Sequence, residues 1–254
     1  LVADADEVMK RLERRPGVVF SALVPNLKGL ERAIAAGLQE ACVFLSVTEG
    51  HSKKNINKSV AEAVKAAIET AAAARKAGMR VRAYLSCVWG CPYDGAVSTK
   101  QVVTVAKQLL EIDAYQLALG DTIGVGVPSQ TVEILQALFE HYPKEKIGLH
   151  FHDTRGTALA NALAGIQQGI TSLDSSVGGL GGCPYAPGAA GNLASEDLLY
   201  MLQGMGIQTG VDLDKLVEAG ELAQNLIGRK LTGKYLQAAI GTREKRAAKI
   251  RAQS

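Results

Sequence analysis

Two imidazoles two residues apart, His150 and His152, are the first side chains in this sequence that could do chemistry together. They stand in the run Ile147-Gly148-Leu149-His150-Phe151-His152-Asp153, which has β character. Side chains alternate faces along a strand, so both rings point the same way. Such a pair is half of a metal site. With no thiolate in it and with amide and carboxylate oxygens nearby, Mg²⁺, Mn²⁺ or Zn²⁺ are all admissible. Asp153 could be a ligand or a second-sphere acceptor for an imidazole N–H. Further on, Cys183 stands between Gly181-Gly182 and Pro184 in a glycine-rich loop expected to move. A thiol presented there could donate or accept a proton or attack a carbonyl; the bland alternative is a small buried hydrophobe. Asn192 ends the loop, where it could cap the next helix or offer an oxygen to a metal. Asp121 lies just past a strand end, where barrel chemistry sits, and reads equally as a turn residue. Arg82 and Tyr84 share one face of another strand, and Arg82 could hold a carboxylate or form an ion pair at the barrel bottom.

The elements that must position these residues alternate. Apolar runs at residues 18–24, 41–46, 81–86, 115–119, 147–153 and 170–177 read as strands. Amphipathic or Ala-rich stretches at 3–14, 27–36, 60–76, 99–111, 129–141, 157–168, 193–202 and 212–227 read as helices, and 48–57 as a polar loop. Strand and helix in turn mean a parallel sheet with right-handed crossovers. At 254 residues the chain has the size of one α/β barrel. Its hydrophobic residues reach 47% but its aromatics only 5%, which suits aliphatic strands covered by helices. Six strands are fewer than the eight that close such a barrel, so the first and last are expected to be edges.

Composition narrows the function. Lys and Arg number 28 against 25 Asp and Glu, too small an excess for a nucleic-acid surface. The basic residues of 229–254 read as a solvated helix or tail. No apolar run is long enough for a membrane span and no signal-type segment opens the sequence, so a cytoplasmic protein is expected. Cys42, Cys87, Cys91 and Cys183 are too few and too irregular for a disulfide framework, and the spacing of Cys87 and Cys91 is wrong for a zinc knuckle.

Taken together, the motifs resemble the 3-hydroxy-3-methylglutaryl-CoA lyases of the DRE-TIM metallolyase superfamily. The resemblance runs from Pro25-Asn26-Leu27-Lys28-Gly29 through Lys54-Asn55-Ile56-Asn57, Gly90-Cys91-Pro92-Tyr93 and Gly120-Asp121-Thr122-Ile123-Gly124-Val125-Gly126. It is strongest at His150-Phe151-His152-Asp153-Thr154 and from Gly179 to Ala186 and Gly191-Asn192. It implies a TIM (β/α)8-type barrel in which His150, His152 and Asn192 bind a divalent metal. Cys183 would be the catalytic thiol on a mobile lid and Asp121 an active-site carboxylate. The implied reaction cleaves 3-hydroxy-3-methylglutaryl-CoA to acetyl-CoA and acetoacetate. His150 is also expected among the catalytic groups, and Arg82 and Tyr84, from their shared strand face, as substrate contacts. The implied partner is an acyl-CoA, with a homodimer admissible and neither nucleic acid nor membrane involved.

Two departures qualify the resemblance. Family members open with a strand ending in Arg-Asp-Gly, whose Asp is a metal ligand and whose Arg stabilises the enolate, and a second strand follows. This sequence starts at what would be the next helix, so a single N-terminally truncated domain with six of eight strands is expected. Arg155 stands where many members carry Tyr. Alternatives are a lyase or acyltransferase acting on another 3-hydroxy acyl-CoA, such as citramalyl-CoA, and a non-catalytic barrel fragment.

Overall fold

The computed structural model describes residues 4–182 and 191–252. After helix α1 (Ala5–Arg11), strands and helices alternate: β1 (Ser21–Leu23), α2 (Leu27–Ala35), β2 (Glu40–Ser46), α3 (Glu49–Ile56), α4 (Val60–Lys76), β3 (Arg80–Ser86), α5 (Thr99–Gln108), β4 (Gln116–Asp121), α6 (Pro128–Phe139), β5 (Ile147–Phe151), α7 (Ala158–Gln167) and β6 (Ser172–Asp174). Helices α8 (Ser195–Gly204), α9 (Leu213–Ile227) and α10 (Lys234–Arg251) follow. All six strands are parallel and pair in chain order, giving an α/β sheet of the TIM-barrel type whose edges are β1 and β6, as expected.

The period of two divides the sheet. Val43, Ala83, Leu117, Leu119, Leu149 and Phe151 are buried in the main apolar cluster, which also takes residues from α4, α5, α6 and α7. Each large aliphatic side chain so buried contributes about 1.5–3 kcal/mol. On the other face, Phe44, Tyr84, Gly120, His150 and Asp174 line a common cavity. The helices are set by local signals. In α4 a capping box joins Ser59 and Glu62, and the helix stops at Ala77-Gly78, where Gly78 has φ +77°.

Several boundaries differ from expectation for identifiable reasons. Residues 18–20 stay outside β1 because only one neighbouring strand is available, and the Phe20 amide bonds the Gln39 side chain instead. The expected strand at 170–177 shrinks to Ser172–Asp174 because Ile170 N bonds Gly165 O on one side and Ser176 N bonds Leu193 O on the other. The expected loop at 48–57 is the helix α3. Its sequence lacks an apolar stripe, and tertiary bonds hold it: Gly50 N donates to Asp94, and Glu49 accepts from Val60 N. Part of the basic C-terminal stretch is α10, which packs on α8 and α9 around Val217, Leu231 and Leu236.

Candidate active site

The ends of β5 and β6 are spread by one short segment. Leu193 N donates to Phe151 O, Ser176 N donates to Leu193 O, and His152 and Asn192 form an antiparallel bridge. This wedge brings Asn192, forty positions on in the sequence, beside the second histidine. Glycine is required at its base. Gly191 has φ +99°, and a Cβ there would collide with the Gly179 carbonyl; a Cβ on Gly181 would collide with the Asn192 amide nitrogen.

His150 and His152 lie on one side of the chain, with ring centroids 5.3 Å apart, and both line a cavity of about 820 Å³. Burial, reinforced by the charge of His150, lowers the pKa of His152 to about 4, so its ring is neutral at physiological pH. His152 Nδ1 and Asn192 Oδ1 are both buried without a hydrogen-bond partner, while Asn192 Nδ2 donates to Leu180 O at 2.9 Å. A ring nitrogen and an amide oxygen withdrawn from water and left without a partner are costly unless something else takes them up. Among the described residues no three His, Cys, Asp or Glu side chains group as a metal site, so the donor set in place is two imidazoles and one amide oxygen. That set fits a divalent cation with coordination positions left open.

Beside His150 stands a residue that the sequence reading passed over. Asp174 pairs with His150 in the β5–β6 register, and its Oδ2 lies 3.2 Å from His150 Nδ1. Arg82 Nη1 donates to Asp174 Oδ1 at 2.8 Å and also to the Tyr84 hydroxyl, which lies 3.0 Å from Asp174 Oδ2. The carboxylate that Arg82 holds is thus the chain's own. Arg82 and Tyr84 line the cavity, but these polar atoms are committed to Asp174, and Arg82 Nε donates to Gln116. Burial alone would raise the Asp174 pKa; the His150 hydrogen bond and the Arg82 charge outweigh it and hold the group below the usual carboxylate range. Burial raises the pKa of Tyr84, and the Asp174 charge adds to it.

His51 and Asn55, one turn apart on α3, also line the cavity and were missed because their helix was read as a loop. Burial lowers the His51 pKa against the opposing charge of Asp94.

Other expected residues are elsewhere. Asp121 is fully buried and does not line the cavity. Its carboxylate accepts from Val125 N at 3.0 Å and Gly126 N at 2.9 Å, which is the turn role. Asp153 accepts from Ala158 N at the start of α7 and so acts as a helix cap. Arg155 donates to the carbonyls of Ile123 and Gly124 and does not reach the cavity wall. Cys42, Cys87 and Cys91 are buried free thiols, and burial pushes Cys42 and Cys87 up to about 12. Cys183 lies outside the described residues.

The HMGL-like family profile matches residues 3–223. The chain belongs to the HMGL-like family. It is 49% identical to the hydroxymethylglutaryl-CoA lyase YngG of Bacillus subtilis over 234 residues, which cover 92% of this chain and 78% of that protein. A crystal structure of hydroxymethylglutaryl-CoA lyase from Pseudomonas aeruginosa superposes with TM-score 0.91 at 45% identity, covering 94% of this chain and 80% of that one. Another family structure, an HMG-CoA lyase from Acinetobacter baumannii in complex with coenzyme A and 3-methylmalate, gives TM-score 0.88 at 32% identity, with coverage of 93% and 77%. Among the described residues no helix is long and apolar enough to cross a membrane.

Proposed function

We infer that this protein is a metal-dependent carbon–carbon lyase that cleaves 3-hydroxy-3-methylglutaryl-CoA into acetyl-CoA and acetoacetate. The observation that carries the reading is the pair of buried, unused donor atoms on His152 and Asn192, set beside His150 on the cavity wall of a chain so similar to enzymes of that name. His150, His152 and Asn192 would hold the ion, Mg²⁺ or Mn²⁺ ahead of Zn²⁺, since an amide oxygen in the set suits the harder cations. When bound, a divalent ion polarises the tertiary hydroxyl of the substrate.

The cavity that would take the acyl group is lined by Asp174 and the two imidazoles together with Phe44 and Leu23. Transfer of the hydroxyl proton to a general base lets C3 become a ketone as the C2–C3 bond breaks, and the electron pair passes to C2 as the enolate of acetyl-CoA. The thiol of Cys183 supplies the proton that C2 then needs, a general-acid role suited to a group of ordinary pKa near 8.5. Asp121, with its carboxylate bound to backbone amides, maintains the neighbouring loop.

The test is an assay of the full-length protein with Mg²⁺ or Mn²⁺, following acetyl-CoA and acetoacetate together. Equimolar release that chelation abolishes is expected, as is a loss of several orders of magnitude in turnover for Cys183→Ser with metal content unchanged. Faster release of acetyl-CoA from citramalyl-CoA would move the substrate assignment. Wild-type turnover in Cys183→Ser would remove the thiol from the mechanism, and no cleavage of either thioester would overturn the reading.

A further inference from the structure

We propose that Asp174 is a positioning residue: clamped by Arg82 and Tyr84, its carboxylate holds His150 in the Nδ1–H tautomer and so presents the Nε2 lone pair to the cation. Arg82 lies 2.8 Å from Asp174 Oδ1, with side-chain exposures of only 10% and 20% for the two partners. A guanidinium can only donate, and a carboxylate facing one is stabilised as the acceptor-only anion. Arg82 also donates to the Tyr84 oxygen, so the phenolic hydrogen is directed at Asp174 Oδ2, 3.0 Å away. Every hydrogen near Asp174 therefore arrives from outside it, and at His150, 3.2 Å distant, the proton of a neutral ring must be on Nδ1. The clamp is itself anchored, because Arg82 Nε donates to Gln116 Oε1 at 2.8 Å and Ser172 shares that acceptor at 3.1 Å. The ring plane is fixed as well: Tyr84 meets His150 edge-on, with centroids 6.2 Å apart and planes at 83°.

His152 provides the contrast, since among the described residues its Nδ1 has no hydrogen-bond partner. One ligand is set by a charged neighbour and the other by the backbone bridge to Asn192. Arg82 also decides what an amide would do at position 174. In Asp174→Asn the oxygen must turn to the guanidinium, leaving the NH₂ to face His150 Nδ1. That ring nitrogen then becomes the acceptor, the proton moves to Nε2, and the lone pair needed by a metal is lost.

The proposal rests on the metal reading above, and its first test does not require it. Nitrogen-15 NMR of the metal-free protein at pH 8, with His150 assigned by His150→Gln, should show a protonated Nδ1 and a bare Nε2; a proton on Nε2 overturns the proposal. In the second test Mn²⁺ is titrated into wild type, Asp174→Asn and Tyr84→Phe. Asp174→Asn should move the proton to Nε2 and weaken Mn²⁺ binding about 10–100-fold, the range for losing a partner that orients a ligand. Tyr84→Phe keeps the acceptor and the tautomer and should stay within about threefold of wild type, since the partner that orients the ligand remains. An Asp174→Asn protein with the wild-type tautomer and an affinity within twofold refutes the idea. If that variant does not fold, the wild-type tautomer alone decides. A protein that passes both tests yet cleaves no thioester would count against the lyase reading and leave the role of Asp174 in place.

Discussion

Asp121 at the end of β4 is a fully buried carboxylate and Asp174 at the end of β6 a half-buried one, both on parallel strands, and the protein uses them in opposite ways. Asp121 faces neutral donors, the amides of Val125 and Gly126, and burial leaves its pKa raised in spite of them. Asp174 faces Arg82 and His150, and those partners overcome its burial so that its pKa falls. Backbone amides can shape a loop around a carboxylate but bring no net charge; a guanidinium and an imidazole fix the charge state and pass its influence to a ligand. Position at a strand end therefore does not make a residue chemical. Its partners do.

The largest effects should fall on the β5–β6 side. His152→Ala should weaken Mn²⁺ binding by more than about 100-fold, since loss of a direct ligand exceeds loss of a residue that only orients one. It should also remove an acid sensitivity. In the metal-free fold His152 titrates near 4 while the unfolded chain takes up the proton near 6.5. Its folded pKa is depressed, so stability is lost as pH falls from 6.5 towards 4, by up to about 3 kcal/mol. Urea unfolding of wild type and His152→Ala across that range should show a steeper slope in the first protein than in the second.

Next comes the exchange of roles between the carboxylates. Asp174→Asn should cost about 3 kcal/mol of stability because Arg82 is left buried without its counter-charge. Asp121→Asn should cost about 2 kcal/mol, since an amide cannot accept from both Val125 N and Gly126 N. Only the first should change Mn²⁺ affinity. A fall of tenfold or more in Asp121→Asn, with folding intact, would erase the distinction drawn here and return Asp121 to the active site.

How legible these roles are in the sequence depends on the range over which each is encoded. The facing of His150 and His152 is local, set by the strand period, and the structure puts both rings on one cavity wall. The partnership of His150 with Asp174 is not local, because it needs the register of two strands joined through α7. The available signal was the run Ser172-Leu173-Asp174, whose alternation puts the carboxylate on the face opposite Leu173. Helix α3 carries no amphipathic stripe, and the bond from Gly50 N to Asp94 that helps hold it reaches a position far along the sequence. The sequence around Asp121 is the same whether its carboxylate looks into the cavity or back at its own loop, and only the fold of residues 122–126 decides it.

The smallest expected effect is also the most direct measure of the contrast, because the two carboxylates should tilt the pH dependence of stability in opposite directions. For Asp121 the folded pKa is raised, so just above the ordinary value near 3.9 the folded protein keeps a proton that the unfolded chain has released. Stability then falls as pH rises through that window. Asp174 has a depressed folded pKa, so its contribution is present above the ordinary value and is lost as pH falls through the window below it. Each slope involves at most one proton, about 1.4 kcal/mol per pH unit. Relative to wild type, the deficit of metal-free Asp121→Asn should therefore narrow as pH rises above about 4, whereas that of Asp174→Asn should widen as pH rises towards 4 from below. Chemical unfolding at closely spaced pH values between about 3 and 6 reads both differences. Parallel profiles would mean that the two sites have the same electrostatics, and the division between loop and active site would then have no physical basis.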